Sequence, residues 1–232
     1  MMGGLEIGAI SLGILLVMLG VRWHVGVAML VAGAICYWLV NGGDTRSLLF
    51  TLNNLVYARF SSYDLAVIPI FILMGQFAIH GGLSAALFRA CASWIGHWRG
   101  GLAMSAAGAC AGFGAICGSS LATATTMSQV ALPELECYHY GQRLATGTVA
   151  AAGTLGILIP PSVPLIVYAV LTQESIAALF MAAIVPGLLA VAGYLLVIRI
   201  MAIRTMRGVA RAPRHSWAER LISLRDIAPI LV

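Results

Sequence analysis

The sequence predicts an all-α polytopic membrane protein with about five transmembrane helices, one broken at a Pro-Pro motif, one re-entrant helical hairpin and one interfacial arm helix. Three observations lead to this fold class. Hydrophobic residues make up 61% of the 232 residues and charged residues only 9%. The mean hydropathy is +0.97, and long intervals contain no charge at all. The net charge of +5 comes from arginines beside apolar intervals, which indicates membrane-flanking loops rather than nucleic-acid binding.

Charge-free intervals outline the predicted membrane segments, because a charge at the centre of a bilayer is expensive. In chain order these intervals are 7–21, 23–43, 65–88, 100–133, 144–173 and 175–198. The first, second and last fit single helices. Leucines at helical spacing within 41–64 predict a short amphipathic helix between the second and third segments.

The interval 65–88 predicts a membrane helix that ends near Gly81 and Gly82. The stretch that follows, 83–98, has two tryptophans and two leucines placed around Arg89. Such a pattern is typical of a helix that lies along the membrane surface. We therefore expect an interfacial arm helix here.

The interval 100–133 is too long for one ordinary crossing, with 34 residues. Of the 28 residues from 101 to 128, 20 are Gly, Ala, Ser or Thr, and the polar string CGSS (117–120) lies near the centre. Small residues favour close contact with protein, and irregular backbone at membrane depth needs a protein environment. We predict a re-entrant hairpin over about 101–132. One long tilted helix with a small-residue packing face is the alternative.

The interval 144–173 carries prolines in its middle, which predicts a broken helix over about 144–172. In a helix, Pro160 and Pro161 leave the carbonyls of Gly156 and Ile157 without their usual donors. We expect the break at about 156–161, with a second half-helix resuming directly after it.

The two interrupted segments together predict a binding site. Gly118 permits a turn at the hairpin tip, Ser119 and Ser120 can cap the returning helix, and Thr123 lies one turn further on. Helix N-termini attract anions, while carbonyls and hydroxyls suit a hard cation such as sodium. Secondary transporters build their sites from such half-helix ends. For any single hydroxyl, a bond to its own preceding turn is the alternative.

Neither catalysis nor a metal centre beyond sodium is predicted. The five cysteines form no CxxC pair and the five histidines are scattered singly. An intramembrane serine protease using Ser119 or Ser120 with His139 is disfavoured, because the sequence lacks a GxSG turn and His139 lies in a polar loop. We therefore expect a protein that is not an enzyme.

The arginines predict an orientation. With a re-entrant hairpin, eleven of the 13 basic residues share one side, and only Arg46 and Arg59 lie opposite. By the positive-inside rule the larger group is cytoplasmic, which includes the basic segment 199–225. The N-terminus is then periplasmic.

Four strings resemble the large membrane (permease) subunit of tripartite ATP-independent periplasmic (TRAP) transporters in order and spacing. They are ASWIGHWRGGLA (92–103), GAICGSSLATATTM (114–127), AAAGTLGILIPPSVPLIVYAVLT (150–172) and SIAALFMAAIVPGLL (175–189). The resemblance covers nearly the whole chain from Glu6 to Leu189. It implies a bacterial inner-membrane subunit in sodium-coupled symport of a small organic acid, such as a dicarboxylate or a sialic acid. The implied partners are a small membrane subunit and a periplasmic solute-binding protein, and no cofactor is implied besides sodium ions.

The resemblance also implies the site residues and the architecture. It places the candidate substrate and sodium-binding residues at the hairpin tip and in the broken helix: Gly118, Ser119, Ser120, Thr123, Gly153, Thr154, Gly156, Ile157, Pro160, Pro161 and Ser162. Residues 1–198 are expected to form the first inverted repeat of an elevator-type transporter, and 199–232 a basic cytoplasmic connector.

Family members carry a second inverted half, which would start where this sequence ends. The sequence is therefore expected to be the N-terminal half of a permease, incomplete as a lone chain. A non-transporting membrane fragment, or one piece of a split subunit with only a packing role, is the alternative.

Overall fold

A computed structural model describes residues 4–61, 63–205, 214, 216–225 and 227. Every regular element among these residues is a helix, so the predicted all-α fold class is confirmed. The chain divides into two compact units, residues 1–62 and 63–232.

The first unit contains α1 (Gly4–Gly20), α2 (Val25–Val40) and α3 (Thr45–Phe60). Helix α2 contacts both α1 and α3. The hydroxyl of Tyr37 on α2 lies 2.8 Å from that of Thr51 and 3.3 Å from that of Ser47, both on α3. Helix α3 occupies the stretch predicted to form a short amphipathic helix.

The second unit contains the remaining helices and the predicted site. They are α4 (Tyr63–His80), α5 (Leu83–Ile95), α6 (Gly101–Cys117), α7 (Ser120–Cys137), α8 (Gln142–Gly153), α9 (Leu155–Leu158), α10 (Val163–Thr172), α11 (Ile176–Thr205) and α12 (Trp217–Arg225). Helices α4 and α5 meet at a bend of 65°. The bend falls at Gly81 and Gly82, where the sequence predicts the membrane helix to end and the arm helix to begin.

Helix α6 is the centre of the second unit. It packs against α4, α5, α7, α8, α9 and α11, and most of its residues are buried. Alanine and glycine predominate in it, and they let six neighbouring helices approach its backbone closely. Large side chains such as Phe113, which is fully buried, fill the spaces that remain.

Two helical stretches among the described residues are apolar and long enough to span a membrane. The stretches Gln142–Thr172 and Ile176–Arg204 qualify alone, and the bent pair α4 and α5 adds a third span if it is counted as one. Helices α1, α2 and α6 contain shorter apolar stretches. This pattern is that of a multi-pass membrane protein.

The predicted basic segment 199–225 is described only in part. Helix α11 continues to Thr205, beyond the predicted end of the last span at 198, and α12 begins at Trp217. Residues 206–213, 215, 226 and 228–232 lie outside the described residues.

Candidate functional site

The tip of the helical hairpin between α6 and α7 is a two-residue turn. Gly118 has φ of +61°, a conformation that favours glycine, and its N–H donates to the carbonyl of Gly114 at 2.9 Å. Ser119 is extended and serves as the N-cap of α7, with its Oγ accepting from the N–H of Ala122 at 3.3 Å. The string CGSS therefore ends one helix and starts the next.

The broken helix consists of α8, the single turn α9, and α10. The interruption occupies residues 159–162, slightly later than the predicted 156–161. The N–H of Ile159 still donates to the carbonyl of Leu155 at 3.0 Å, so the helical turn persists through Leu158. Ser162 is the N-cap residue of α10, and its fully buried hydroxyl donates to the carbonyl of Ile157 at 2.7 Å. The carbonyl of Ile157, predicted to be free, thus has one hydrogen bond and keeps a second lone pair.

Close backbone contacts join the hairpin to the broken helix. A Cβ added to Gly114 would lie 2.5 Å from the Cα of Gly156, and one added to Gly118 would lie 2.8 Å from the carbonyl oxygen of Pro161. A Cβ on Gly156 would lie 2.6 Å from Thr123 Oγ1 and 2.9 Å from the Ser119 carbonyl oxygen. Only glycine at these positions permits the observed approach. The tip and the break are therefore in direct contact.

Two predicted site residues have hydroxyls that bond to their own helices. Thr123 is fully buried, and its Oγ1 donates to the carbonyl of Ser119 at 2.7 Å. Thr154 donates to the carbonyl of Ala151 at 2.7 Å and lies 3.1 Å from the hydroxyl of Tyr194 on α11. Their neighbour Gly153 packs against Ala124 of α7. These three residues fix the hairpin and the broken helix in place behind the tip.

A cavity of about 470 Å³ opens where the tip, the break and α4 meet. Its walls are formed by Ile72, Gly75, Gln76, Ile79, Cys117, Gly118, Ser119, Ser120, Ala122, Ile157, Val163 and Pro164. Four of the predicted residues lie on this wall: Gly118, Ser119, Ser120 and Ile157. Of the other predicted residues, Pro161 lines a neighbouring cavity formed mainly by α4 and α6. The described walls carry no charged side chain, so the polar atoms that face the cavity are neutral.

Gln76 is the residue of this cavity that the sequence reasoning missed. It is exposed on α4 and is the only side chain from Leu65 to Ile79 that can form hydrogen bonds. Its neighbour Gly75 places the helix directly against the tip, because a Cβ there would lie 3.1 Å from the Cβ of Cys117. A lone amide in an otherwise apolar membrane segment was the available signal.

The described residues contain no group of three or more His, Cys, Asp or Glu side chains that could hold a metal ion. The residues that line the site have neutral hydroxyl and carbonyl oxygens, which could coordinate a cation, and one side-chain amide. Hydroxyl and carbonyl oxygens of this kind match the preference of a hard cation, and amide N–H groups match that of a carboxylate.

The model of one protein family matches residues 12–232. Its description is "Tripartite ATP-independent periplasmic transporter, DctM component". The match includes the hairpin, the broken helix and the cavity between them.

Curated relatives agree with the family match. A C4-dicarboxylate TRAP transporter large permease protein DctM of Pseudomonas aeruginosa is 38% identical over 194 residues, which are 84% of this chain and 44% of the relative. An ectoine/5-hydroxyectoine TRAP transporter large permease protein of Ruegeria pomeroyi is 34% identical over 197 residues, covering 85% and 45%. A sialic acid TRAP transporter permease protein of Haemophilus influenzae is 30% identical over 221 residues, covering 91% and 34%. The chain thus spans less than half the length of these relatives.

Proposed function

The chain belongs to the DctM component family of tripartite ATP-independent periplasmic transporters, and from that premise we propose that it forms part of the large permease of a sodium-coupled secondary transporter. The transporter imports a small organic acid that a periplasmic binding protein delivers. Because the chain spans only 44% of its Pseudomonas aeruginosa relative, this activity is proposed for a complete permease that contains it.

The observation that carries the proposal is the contact between the hairpin tip and the broken helix. Two interrupted helices meet through Gly118 and Pro161, and a cavity of about 470 Å³ opens beside them. Helix interruptions at membrane depth are tolerated where they face protein or a cavity, and secondary transporters use them as binding sites.

Sodium is the proposed coupling ion, because the residues that line the cavity can supply neutral oxygen atoms as cation ligands. Ser119, Ser120 and Ile157 belong to its wall. The Ile157 carbonyl accepts one hydrogen bond from Ser162, which orients it and leaves a second lone pair for a cation. The remaining ligands would come from backbone carbonyls and from other parts of the permease.

The proposed substrate is a small organic acid. Gln76 presents amide donors to the cavity, and Ser119 and Ser120 present hydroxyls from the N-terminal end of α7. A carboxylate accepts hydrogen bonds from such groups, and the positive end of a helix dipole favours its charge. The relatives are named for C4-dicarboxylate, ectoine and sialic acid, and we extend to this chain the shared feature, a carboxylate group.

The proposed assembly lies in the bacterial inner membrane, with a small membrane subunit and a periplasmic binding protein as partners. The arginine-rich end, which includes Arg89, Arg99 and Arg143, is placed in the cytoplasm by the positive-inside rule. The hairpin of α6 and α7 then enters and leaves from that side as a re-entrant element, and the N-terminus is periplasmic.

Transport by a chimera tests the proposal. In this chimera, the part of this chain that aligns with the Pseudomonas aeruginosa relative, 84% of its length, replaces the aligned part of that relative. It is reconstituted in proteoliposomes with that relative's small permease and binding protein. Uptake of radiolabelled C4-dicarboxylate is measured with an inward sodium gradient, an inward potassium gradient and no gradient. We expect uptake only with the sodium gradient.

Correct folding of the chimera is judged by a single sharp thermal transition and a monodisperse elution profile. If a folded chimera took up substrate equally under all three conditions, sodium coupling would be contradicted. A folded chimera without any uptake would support the alternative of a packing role for this chain.

A further inference from the structure

Tryptophans and arginines cluster where α5, the loop after it, the C-terminal part of α11 and α12 meet. The rings of Trp94 and Trp217 form a T-shaped pair with centroids 6.3 Å apart and planes at 89°. Helix α12 is further joined to α5 by the hydroxyls of Ser93 and Ser223, which lie 2.9 Å apart. We define the Trp–Arg surface by its six residues: Trp94, Trp98, Trp217, Arg199, Arg214 and Arg220.

Two arginines of this surface lie over tryptophan rings. The guanidinium carbon of Arg220 is 5.1 Å from the ring centroid of Trp217 and 6.0 Å from that of Trp94. The guanidinium carbon of Arg199 is 5.5 Å from the ring centroid of Trp98. Cation–π contacts of this kind restrict the guanidinium to one place while leaving N–H donors available. The Nε of Arg220 is buried and has no hydrogen-bond partner.

Positive charge at this surface exceeds the negative charge. Among the described residues of α5, its following loop, α11 and α12, the single acidic side chain is Glu219, whose carboxylate accepts from the N–H of Ser216 at 2.9 Å. His97 lies next to the surface, with its Nδ1 buried and without a partner. Burial, and then the charges of Arg214 and Arg220, lower the pKa of its imidazole. The surface thus has a positive potential that would be relieved by an anion.

The tryptophans of this surface are exposed in spite of their size. Trp217 is 71% exposed, and Leu221 and Ile222 beside it on α12 are 63% and 56% exposed. Exposed tryptophan and aliphatic side chains next to arginine suit the headgroup layer of a bilayer, where the rings and guanidinium groups are both accommodated. A soluble anion would account for the arginines and not for the exposed apolar side chains.

We propose that the Trp–Arg surface binds the phosphate-bearing headgroup of an anionic phospholipid, with Arg220 and Arg199 donating to phosphate oxygens and the tryptophans lying in the headgroup layer. Binding would fix α12 and the C-terminal end of α11 at the membrane surface. This inference does not depend on sodium coupling or on the transported substrate.

Tryptophan quenching by brominated lipids tests the proposal on the full chain in nanodiscs. Trp23→Phe and Trp38→Phe first remove the two tryptophans outside the surface, so that the three remaining rings report on it. Brominated phosphatidylglycerol or brominated phosphatidylcholine is then added at equal mole fraction to an unlabelled bilayer. We expect phosphatidylglycerol to associate about 25-fold more strongly, because each of the two arginines that donate to the phosphate contributes about fivefold.

Arginine variants distinguish a specific lipid site from non-specific electrostatic attraction between anionic lipid and the protein. In this background Arg220→Gln and Arg199→Gln should each reduce the preference by about fivefold, while Arg89→Gln should leave it unchanged. Arg89 is the matched control, because it is an exposed arginine on α5 outside the surface. Arg220→Lys retains the charge and should keep part of the preference, which guards against a misfolded glutamine variant.

The proposal would be overturned if the two lipids quenched equally, or if Arg89→Gln lowered the preference as much as Arg220→Gln. Inorganic phosphate at about 10 mM is the soluble competitor, a concentration that would occupy most of a phosphate site with a Kd of about 1 mM, or about −4 kcal/mol. Phosphate that abolished the phosphatidylglycerol preference would show a soluble-anion site instead.

Discussion

Gly114 on α6 and Gly156 on α9 meet backbone to backbone, so closely that a Cβ on Gly114 would lie 2.5 Å from the Cα of Gly156. This contact joins the hairpin to the broken helix just behind the tip. It places the turn of α9 that contains the Ile157 carbonyl beside the N-terminus of α7, which Ser119 caps. The geometry of the proposed sodium site therefore depends on two positions that carry no side chain.

Alanine at either glycine should destabilise the protein. Gly114→Ala places a methyl group against the backbone of Gly156, and Gly156→Ala places one against the Thr123 hydroxyl and the Ser119 carbonyl. Overpacking of this kind costs about 1–3 kcal/mol. We expect a lower midpoint of thermal unfolding for each variant in detergent. Gly193→Ala is the matched control, because Gly193 lies in α11 with no atom within 4 Å of its added Cβ. Equal midpoints for Gly156→Ala and Gly193→Ala would contradict the close contact.

Removal of the Ser162 hydroxyl should loosen the break. The hydroxyl is fully buried and donates to the carbonyl of Ile157, so Ser162→Ala leaves that carbonyl without this donor at a cost of about 1–3 kcal/mol. Ser128→Ala removes a hydroxyl that bonds the carbonyl of Thr125 in its own helix, and should change stability by less than about 0.5 kcal/mol. Thermal unfolding of both variants makes the comparison. A larger loss for Ser128→Ala would show that the Ser162 bond does not support the break.

Gln76 should affect substrate affinity more than stability. Its amide is exposed to the cavity from an apolar helix, so Gln76→Leu removes donors to the proposed carboxylate and leaves no buried group unpaired. The loss of a hydrogen bond to a charged group, about 1.5–3 kcal/mol, should raise the KM for substrate by about 10- to 100-fold in the chimera.

Gln129→Leu is the control for Gln76→Leu, since Gln129 is exposed on α7 and does not line the described cavity wall. An unchanged KM in a folded Gln76→Leu chimera would remove Gln76 from the substrate site.

Acidification should destabilise the protein through His97. Burial and the charges of Arg214 and Arg220 lower the pKa of His97 in the folded state below its ordinary value of 6.5. As the pH falls through this value, the unfolded chain binds the proton first, so the free energy of unfolding falls. His97→Asn removes this contribution and should reduce the loss of thermal stability between pH values of about 7.5 and about 5.5.

His139→Asn is the matched control, because it makes the same replacement at another histidine. His139 is exposed and has φ of +58°, a conformation that asparagine tolerates. Acidification should cost His97→Asn less thermal stability than it costs this variant. Equal losses in the two variants would contradict the uncompensated positive charge beside His97.

The sequence predicted the class of the fold and the two segments that meet beside the described cavity, because charge-free intervals and proline positions depend on chemistry that is local in the chain. The string CGSS ends α6 and caps α7 as its residue types require. The predicted start of the break in the second segment was slightly too early. A proline shows which backbone N–H donor is missing, but it does not show how far the preceding helical turn continues. Here the bond from Ile159 to Leu155 extends the helix to Leu158.

The sequence did not predict which side chains of different helices contact one another. Thr123 and Ser120 both have a hydroxyl group, yet Thr123 is buried and bonds the Ser119 carbonyl, while Ser120 lines the cavity. Gln76 reaches the cavity only because Gly75 brings α4 against Cys117. Both facts follow from how helices pack, which a helical period alone does not determine.

The sodium requirement of transport shows whether the hairpin tip contributes a sodium ligand. Ser120→Ala removes a hydroxyl oxygen from the cavity wall without touching the capping bond of Ser119. Loss of one ligand should raise the sodium concentration for half-maximal uptake by the chimera about tenfold, which corresponds to about 1.4 kcal/mol. Ser128→Ala on the same helix should leave it unchanged. A folded, transporting Ser120→Ala chimera with the unaltered sodium requirement would contradict the assignment of the hairpin tip to the sodium site.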